Sequence, residues 1–341
     1  VCNFYYGTQS KVLVKKKKSL PLNGNKEISF DQLEIISRKS KKKISINKIN
    51  NLSHPEKKRV KKDIRTIIAR KKFKNLRLNS IPLIMGILNL TPDSFSDGGR
   101  FNKDHLAKKQ MNYLFESGAD IVDIGGESTR PGSKSVTSKV EWKRIKNILK
   151  KIDKKKIISL DTRKSSIMVK GINLGVKLIN DVSGLSYDDN SIDVLKKFKI
   201  PFVLQHSLGT PDVMQNNPKY NNVLLDIYDF FEEKIKYLRK IGIKHNNIIL
   251  DPGIGFGKNL KHNMKIIRDI SIYHSLGFPI LLGISRKKFI KELSGTNDSH
   301  LRLGGTISSS IFLMMQGVQI LRVHDVNEMN QSVKVFKELI K

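Results

Sequence analysis

The chain has 341 residues, of which 38% are hydrophobic, and a formal net charge of +33 at pH 7. This length suits one large domain with an appended segment, and the hydrophobic fraction is sufficient for a buried core. Cys2 is the only cysteine, which excludes intrachain disulfides and thiolate metal clusters and favours a reducing compartment, the cytoplasm. No apolar stretch reaches the roughly 18 residues of a membrane span, and residues 1–20 lack the apolar segment of a signal peptide.

The positive charge is unevenly distributed. Residues 1–80 carry 23 Lys and Arg against 5 Asp and Glu, and residues 81–341 carry 41 against 26. Most of the excess is Lys, and no module with the clustered arginine and aromatic side chains of a specific nucleic-acid reader is present. We therefore expect weak, nonspecific affinity for phosphates and no specific nucleic-acid partner.

Residues 1–80 are predicted to be a Lys-rich N-terminal extension. The segment LPLNG at 20–24 indicates a turn, residues 30–37 a short strand or helical turn, and residues 53–74 a helix. Because its apolar stretches are short, we expect this extension to bury little and to lie against the main domain as an appendage.

From residue 81 onward, short apolar stretches alternate with amphipathic stretches of helical length. Eight such units over about 260 residues match the size of a (β/α)8 TIM barrel, which we predict for 81–341. A doubly wound open sheet is the alternative, but no nucleotide-type glycine fingerprint follows the first strand. The predicted strands are 81–89, 120–126, 156–162, 177–182, 200–206, 247–253, 279–285 and 319–324. The predicted helices include 105–117, 141–152, 164–174, 191–198, 223–241, 262–272 and 306–316.

Polar residues end each of these predicted strands. A barrel brings the carboxyl ends of all its strands to one face, so these side chains should converge above a packed core, as in an active site. For any single residue, a cap or a loop hydrogen bond is an equally good explanation; the complete set favours function. In chain order the set is Asn89, Asp123, Glu127, Asp161, Asn180, Asp181, His206, Asp251, Ser285, Arg286, Lys287, Arg322 and His324.

The first strand and its loop, MGILNLTPDSFSDGG at 85–99, begin a series of seven segments that resemble dihydropteroate synthases, the pterin-binding enzymes of folate biosynthesis. The segments occur in the family's order, nearly one per strand end, from about residue 81 onward. Residues 1–80 lie outside the family core, although FYY at 4–6 and LPLNG are similar to an extension of some bacterial members. The other six segments are DIGGESTRPGS (123–133), SLDTRK (159–164), INDVSG (179–184), LDPGIGFGK (250–258), GISRKKF (283–289) and RVHDV (322–326).

The resemblance implies condensation of 7,8-dihydropterin-6-ylmethyl diphosphate with 4-aminobenzoate, releasing pyrophosphate. It implies that Asp251 and Asn180 bind the donor–acceptor edge of the pterin. Asp161 would lie against the ring near the developing charge, although a strand-end cap is its alternative role. Lys287 would donate to the ring's oxygen and nitrogen.

The resemblance also implies a site for the diphosphate leaving group. Its charge would be met by Asn89, Ser128, Arg322 and His324. Mg²⁺, a hard cation that prefers oxygen ligands, would bridge the diphosphate oxygens and bind Asn89. No all-protein metal cage is visible in the sequence, which suits a magnesium ion that arrives with its substrate.

The second substrate is expected under two loops, 91–99 and 128–132, that close over the diphosphate. Asp97 and Arg130 would pair on closure and assist catalysis. The aminobenzoate would contact Phe95, Thr129, Pro131, Phe256 and Lys288. Many family members have Ser where this chain has Lys288, and methionines where Gln205 and Ser207 flank His206; His206 itself has packing as its alternative role.

Two other functions remain as alternatives, and the sequence also suggests an assembly. A related barrel that transfers a methyl group from methyltetrahydrofolate to a corrinoid shares the pterin-binding Asp and Asn residues, but has no need of the 91–99 and 128–132 loops. A degenerate Lys-rich binding protein would be expected to have lost the strand-end residues. The apolar patch at 311–315 with Val318 suggests a homodimer surface.

Overall fold

The computed structural model describes residues 1–71, 76, 78, 82–91, 104–128, 133–209 and 218–341. Its first 71 residues fold around a four-stranded antiparallel sheet in which strand β3 pairs with each of the other three. The strands are β1 (Cys2–Tyr6), β2 (Leu20–Leu22), β3 (Asn25–Ile36) and β4 (Lys41–Ser45), and the helices are α1 (Gly7–Lys15) and α2 (His54–Ile68). A 3₁₀ helix, Ile46–Asn51, joins β4 to α2.

The predicted turn at 20–24 is confirmed only for its second half. Leu20–Leu22 is a strand, and the tight turn to β3 is made by Asn23 (φ 54°) and Gly24 (φ 70°). Two consecutive residues with positive φ are characteristic of the hairpin turn that an Asn-Gly pair favours.

The expectation that residues 1–80 bury little is wrong. The sheet and α2 enclose a hydrophobic cluster of their own, and Phe30 at its centre is completely buried. The residues of this cluster come from short segments that are widely separated in the sequence. No single segment is apolar enough to predict a hydrophobic core. Its buried members are Leu22, Ile28, Phe30, Leu33, Ile44, Ile49, Leu52, Val60 and Ile67.

The remaining described residues form the predicted barrel of eight parallel strands. They are hydrogen-bonded in the order β10-β9-β8-β7-β6-β5-β12-β11, and a parallel bridge between Leu250 and Ile280 joins β10 to the segment entering β11. The strands are β5 (Leu83–Asn89), β6 (Ile121–Gly125), β7 (Ile158–Asp161), β8 (Leu178–Asp181), β9 (Phe202–Gln205), β10 (Ile248–Asp251), β11 (Leu281–Gly283) and β12 (Ile320–Val323).

Helices alternate with these strands around the outside of the barrel. The seven helices whose ranges were predicted are found, together with α9, the helix expected after Lys287, and α11 at the end of the chain. The helix expected at 262–272 ends at Arg268 and is followed by a separate 3₁₀ helix, Ile270–Leu276. The helices are α3 (Asp104–Glu116), α4 (Ser138–Leu149), α5 (Ser165–Asn173), α6 (Ser191–Phe198), α7 (Val223–Lys240), α8 (Leu260–Arg268), α9 (Lys288–Ser294), α10 (Leu303–Met315) and α11 (Val326–Leu339).

The barrel has two layers of core. One lies between the strands and the surrounding helices. The other fills the amino-terminal end of the barrel interior, where the first residues of the strands, such as Leu83 and Leu178, meet Leu76 and Leu78. The predicted boundary at residue 80 stays a prediction, but these two leucines belong to the barrel's inner core.

The N-terminal unit lies against the amino-terminal end and one side of the barrel. Leu22 contacts Gly317, where an added Cβ would lie 2.3 Å from its Cδ2, and Asn23 Nδ2 lies 3.5 Å from Nδ1 of the buried His274. On the side of the barrel, Arg38 pairs with Asp226 (2.7 Å) of α7. The contacts of Leu22 and Asn23 are at the opposite end from the carboxyl ends of the strands.

The apolar patch at 311–315 is largely internal. Leu313, Met314 and Val318 are buried in the barrel core, whereas Phe312 is 42% exposed. The patch therefore offers much less surface to a second copy than its sequence suggests. No helix in the part of the chain that the structure describes is long and apolar enough to cross a membrane.

Candidate active site

Arg322 of β12 connects the carboxyl ends of β6 and β7 across the barrel. Its Nε donates to Asp123 Oδ2 (2.7 Å), and its Nη2 donates to Asp161 Oδ2 (2.8 Å). Asn180 of β8 donates from Nδ2 to the same Asp123 oxygen (2.9 Å). Three neighbouring strands and β12 thus present one hydrogen-bonded polar cluster, as the strand-end pattern predicted.

Burial raises the pKa of two carboxyl groups at this end of the barrel, those of Asp161 and Asp181. Desolvation raises the pKa of Asp161 to about 8; the nearby Arg322 opposes this shift, and the carboxylate of Asp123 adds to it. Burial also raises the pKa of Asp181 to about 6, against two hydrogen bonds from Ser183. Perturbed carboxyl groups gathered at one end of a barrel are typical of functional sites.

Asp251 and Lys287 form the second half of the cluster. Asp251 Oδ1 accepts from the backbone N–H of Gly253 (2.7 Å), and burial raises the pKa of its carboxyl to about 6, opposed by Lys287 and Arg322. Burial lowers the pKa of Lys287 to about 8, which Asp251 opposes. The Lys287 ammonium lies 4.3 Å from the centroid of the Phe256 ring, a cation–π contact.

The other predicted residues that the structure describes lie around this cluster. Asn89 ends β5 and is half-buried. His324 follows β12, and its Nδ1 lies within hydrogen-bond distance of Ser285 Oγ (3.0 Å). The Ser128 carbonyl accepts from Ser133 (2.7 Å). Lys288, the first residue of α9, is largely exposed and pairs with Glu292 (3.3 Å).

Five predicted site residues lie outside the described residues, so their placement is not part of this structure. They are Phe95, Asp97, Thr129, Arg130 and Pro131.

Comparison with known proteins gives the same family as the sequence motifs. Residues 85–324 match the family model described as pterin binding enzyme. Dihydropteroate synthase of Escherichia coli strain K12 is 38% identical over 258 residues, 75% of this chain and 91% of that protein. The enzyme of Neisseria meningitidis serogroup B is 40% identical over 265 residues, 76% of this chain and 93% of that protein.

Solved structures agree in fold as well as in sequence. The crystal structure of Yersinia pestis dihydropteroate synthase with a sulfonamide drug complex superposes with a TM-score of 0.74 at 36% identity, covering 77% of this chain and 96% of that one. The Xanthomonas albilineans enzyme in complex with 7,8-dihydropteroate superposes with a TM-score of 0.69 at 31% identity, covering 77% of this chain and 95% of that one. The chain belongs to the dihydropteroate synthase family. It is a transferase of folate biosynthesis.

Asp123 is the residue of the dihydropteroate synthase site that was underestimated from the sequence. The sequence places it among the strand-end residues and assigns it no individual role. The structure makes it the shared acceptor of Arg322 and Asn180. The available signal was a carboxylate inside a strand buried on both faces, since a fully buried charge requires a partner.

A second buried charge cluster supports the loop that follows β6. Glu127 accepts from Arg163 (3.2 Å) and Lys164 (2.7 Å) and from the backbone N–H of Val136 (2.9 Å). Lys164 also donates to Glu141 (2.7 Å). This cluster ties the segment after β6 to the segment after β7, the two dihydropteroate synthase motifs that begin at 123 and 159.

Two of the residues that depart from the usual dihydropteroate synthase pattern, Gln205 and Ser207, lie at the end of β9. Gln205 Nε2 donates to the Val182 carbonyl (3.2 Å), and Ser207 Oγ donates to the Gly209 carbonyl (3.2 Å). Both polar groups therefore bond to the backbone. His206 packs edge-on against Phe230 with ring centroids 4.9 Å apart, which supports a packing role, although its Nδ1 also contacts Lys258.

Proposed function

We propose that the polar cluster at the carboxyl end of the barrel performs the dihydropteroate synthase reaction. In that reaction 7,8-dihydropterin-6-ylmethyl diphosphate and 4-aminobenzoate give 7,8-dihydropteroate and pyrophosphate, and this is the activity of the chain. The observation that supports the assignment of residues is the network that joins Asp123, Asp161, Asn180 and Arg322 from four strands. Its members are held in place by bonds to one another, which favours catalysis by positioning.

The pterin would bind between the two halves of the cluster. A flat ring with donors and acceptors along one edge requires partners fixed in one plane, and Asp251 and Asn180 are each fixed by a hydrogen bond of 2.7 and 2.9 Å. Lys287, displaced from water onto the Phe256 ring, would donate to the ring oxygen and nitrogen. The pterin would thereby be oriented with its methylene carbon toward Arg322.

In the reaction, the bond between the methylene carbon and the diphosphate oxygen breaks, and a bond to the amine nitrogen forms as the amine loses a proton. The electron-rich pterin can stabilise an exocyclic methylene cation, so departure of the diphosphate before attack suits a weakly nucleophilic aromatic amine. Asp161 would stabilise the positive charge on the ring. Arg322, His324, Asn89 and Ser128 would bind the departing diphosphate.

The space beside Asn89 suits a magnesium ion that arrives with the diphosphate. An added Cβ at Gly125 would lie 3.3 Å from Asn89 Oδ1 and 3.4 Å from Asp161 Cβ, so glycine keeps open a pocket next to a neutral oxygen ligand. Among the described residues, no group of three or more acidic, His or Cys side chains could hold a metal alone. Asn89 with diphosphate oxygens would hold Mg²⁺, which would supply positive charge to the leaving group.

The aminobenzoate would bind on the side of Phe256. The aminobenzoate ring would contact Phe256, Phe95 and Pro131. The aminobenzoate carboxylate would pair with Lys288, and Thr129 would lie beside the substrate. Closure of the loops at 91–99 and 128–132 would bring Asp97 to Arg130 and complete the pocket. Support for this part comes from the motifs and from the placement of Phe256 against Lys287.

We further propose that the chain acts in the cytoplasm, as a homodimer, without a specific nucleic-acid partner. The single cysteine supports a reducing compartment, and the scattered Lys-rich charge supports only nonspecific contacts with nucleic acids.

Pyrophosphate release tests the reaction directly. The purified chain is offered the pterin diphosphate alone, 4-aminobenzoate alone, and both with Mg²⁺; we expect release to match dihydropteroate formation and to require both substrates. The Lys287→Met variant should lose most of this activity, while Lys291→Met on the adjacent helix α9 should keep it. Methyl transfer from methyltetrahydrofolate to a corrinoid, without pyrophosphate release, would contradict the assignment.

A further inference from the structure

Lys258 is a buried lysine that the reaction described above does not use. It follows the loop after β10, and only 3% of its surface is exposed. Its Nζ lies 2.9 Å from the Phe256 carbonyl, 3.0 Å from His206 Nδ1 and 3.4 Å from the His206 carbonyl. Burial lowers the pKa of Lys258 to about 7. In its ammonium form the side chain has three N–H donors, and these three acceptors match that hydrogen-bonding capacity.

The geometry points to Lys258 as a positioning residue that fixes Phe256, and through it the aminobenzoate side of the site. This inference rests on the proposed roles of Phe256 and Lys287. Lys258 would join the end of β9 to the loop between β10 and α8, so that the Phe256 ring is held in place beneath the Lys287 ammonium.

With Lys258 as the donor to His206 Nδ1, the inference predicts which tautomer His206 adopts. A donor at Nδ1 requires that this nitrogen carry a lone pair, so the ring proton resides on Nε2. Burial and the neighbouring Lys258 lower the pKa of His206 to about 3, which keeps the ring neutral. The polar role of His206 is then to hold Lys258, alongside its packing against Phe230.

The same loop is held from its other side by Tyr220, whose hydroxyl donates to the Gly257 carbonyl (2.9 Å). Gly257 has φ +63°, and an added Cβ would lie 2.6 Å from Leu208 Cβ, so the loop packs tightly against the segment after β9. Asn180, in contrast, is fixed by its bond to Asp123 on β6. Asp251 accepts from Gly253, near the start of the loop, and the charge of Lys258 opposes the rise in the Asp251 pKa. The hydrogen bonds of Lys258 go to Phe256 and His206, so its loss should disturb these two residues more than the pterin-binding edge.

The test compares Lys258→Met, which keeps the length of the side chain and removes all its donors, with Lys258→Gln and the exposed control Lys261→Met. We expect Lys258→Met to raise the aminobenzoate KM about tenfold or more, as loss of a charge-assisted contact allows, with a change in the pterin diphosphate Kd at least about fivefold smaller. Lys258→Gln, which retains two donors, should recover part of the loss, and Lys261→Met should match the parent chain in both constants.

Equal changes in the aminobenzoate KM and the pterin diphosphate Kd would reduce Lys258 to a general structural role and overturn the inference, as would an unchanged aminobenzoate KM. Nitrogen NMR of the unsubstituted protein tests it even where a variant fails to fold. A lone pair at His206 Nδ1 supports the inference, and a proton on Nδ1 refutes it. Activity of the parent chain, measured separately, shows whether the proposed reaction itself has failed.

Discussion

Replacement of Asp123 by asparagine tests how the cluster is held together. The change keeps the shape of the side chain and removes its charge. Asp123 Oδ2 accepts from both Arg322 Nε and Asn180 Nδ2, and an amide oxygen in the same place can still accept both hydrogen bonds. The variant therefore isolates the contribution of the charge.

The magnitude follows from these two contacts. Hydrogen bonds to charged groups contribute about 1.5–3 kcal/mol and neutral ones about 0.5–1.5 kcal/mol, so weakening two of them should lower the free energy of unfolding by about 2 kcal/mol. Only the bond from Asn180 bears on the pterin, so its share of about 1 kcal/mol should weaken pterin binding about fivefold. Asp123→Ala should cost more, about 3–5 kcal/mol, because it leaves Arg322 with one buried partner fewer.

The same substitution should lower the pKa of Asp161. Asp123 is a like charge that raises that pKa, and without it Arg322 would pair with Asp161 alone. With the Asp161 pKa raised from 3.8 to about 8, the folded state keeps a proton that the unfolded state has lost between these two values. The contribution of this group to the free energy of unfolding therefore falls as the pH rises through that window. Because Asp123→Asn should lower the Asp161 pKa, it should also make this pH window narrower.

Carbon NMR of the Asp161 carboxyl, urea unfolding from pH 4 to 8.5 and pterin calorimetry measure these effects. The matched control is Asp120→Asn, since Asp120 accepts from the Ile84 backbone (2.8 Å) at the start of β6, far from the cluster. Asp120→Asn should leave the Asp161 titration and pterin affinity unchanged. If Asp123→Asn also leaves the Asp161 titration and the pterin affinity unchanged, or if it raises the Asp161 pKa, the proposed role of the Asp123 charge is refuted.

Three further predictions concern the pterin edge, the barrel core and the loops. Asp251→Asn should weaken pterin binding by about 2–4 kcal/mol, the cost of an unmatched buried polar edge; calorimetry showing the parent affinity would remove Asp251 from the pterin site. Leu78→Ala should lower the free energy of unfolding by about 2–4 kcal/mol without changing either KM, whereas Leu301→Ala, at a residue 72% exposed, should be neutral in the same urea titration. Phe95→Ala should raise the aminobenzoate KM much more than the pterin KM. If the loops at 91–99 and 128–132 close over the diphosphate, a sulfonamide should bind well only with pyrophosphate and Mg²⁺ present. Equal sulfonamide affinity without pyrophosphate and Mg²⁺ would exclude closure of the loops.

The barrel could be predicted because its signal is local and repeated. Each strand is a short apolar run that ends in a polar residue, and each intervening helix has its own amphipathic period. The N-terminal unit offered no such repeat. Its core joins Leu22, Phe30, Ile44 and Val60 from separate elements, and only the paired strands show that these side chains meet.

The site was predictable to the level of which residues converge, but not of how they pair. Strand ends gave Asp161, Asn180 and Arg322, because parallel strands place their carboxyl ends on one face. The hydrogen bonds from Arg322 to Asp123 and Asp161 depend on the side-chain conformations across the barrel, which the strand pattern does not predict. Lys258 is the clearest case, since its three acceptors lie at 206 and 256, and sequence spacing does not reveal that the two segments touch.

The pairing of Arg322 suggests how the cluster responds to substrate. In the free protein its guanidinium is shared by Asp123 and Asp161, so a diphosphate bound at Arg322 must compete with these carboxylates. We expect Asp123, held also by Asn180, to keep its contact and Asp161 to give it up. Asp161, which keeps its proton up to about pH 8 in the folded protein, would then lose a cationic neighbour. On ionisation its carboxylate would pair with the cation that develops on the pterin, in place of the guanidinium. Departure of the diphosphate and stabilisation of the pterin cation would thus be linked through one arginine.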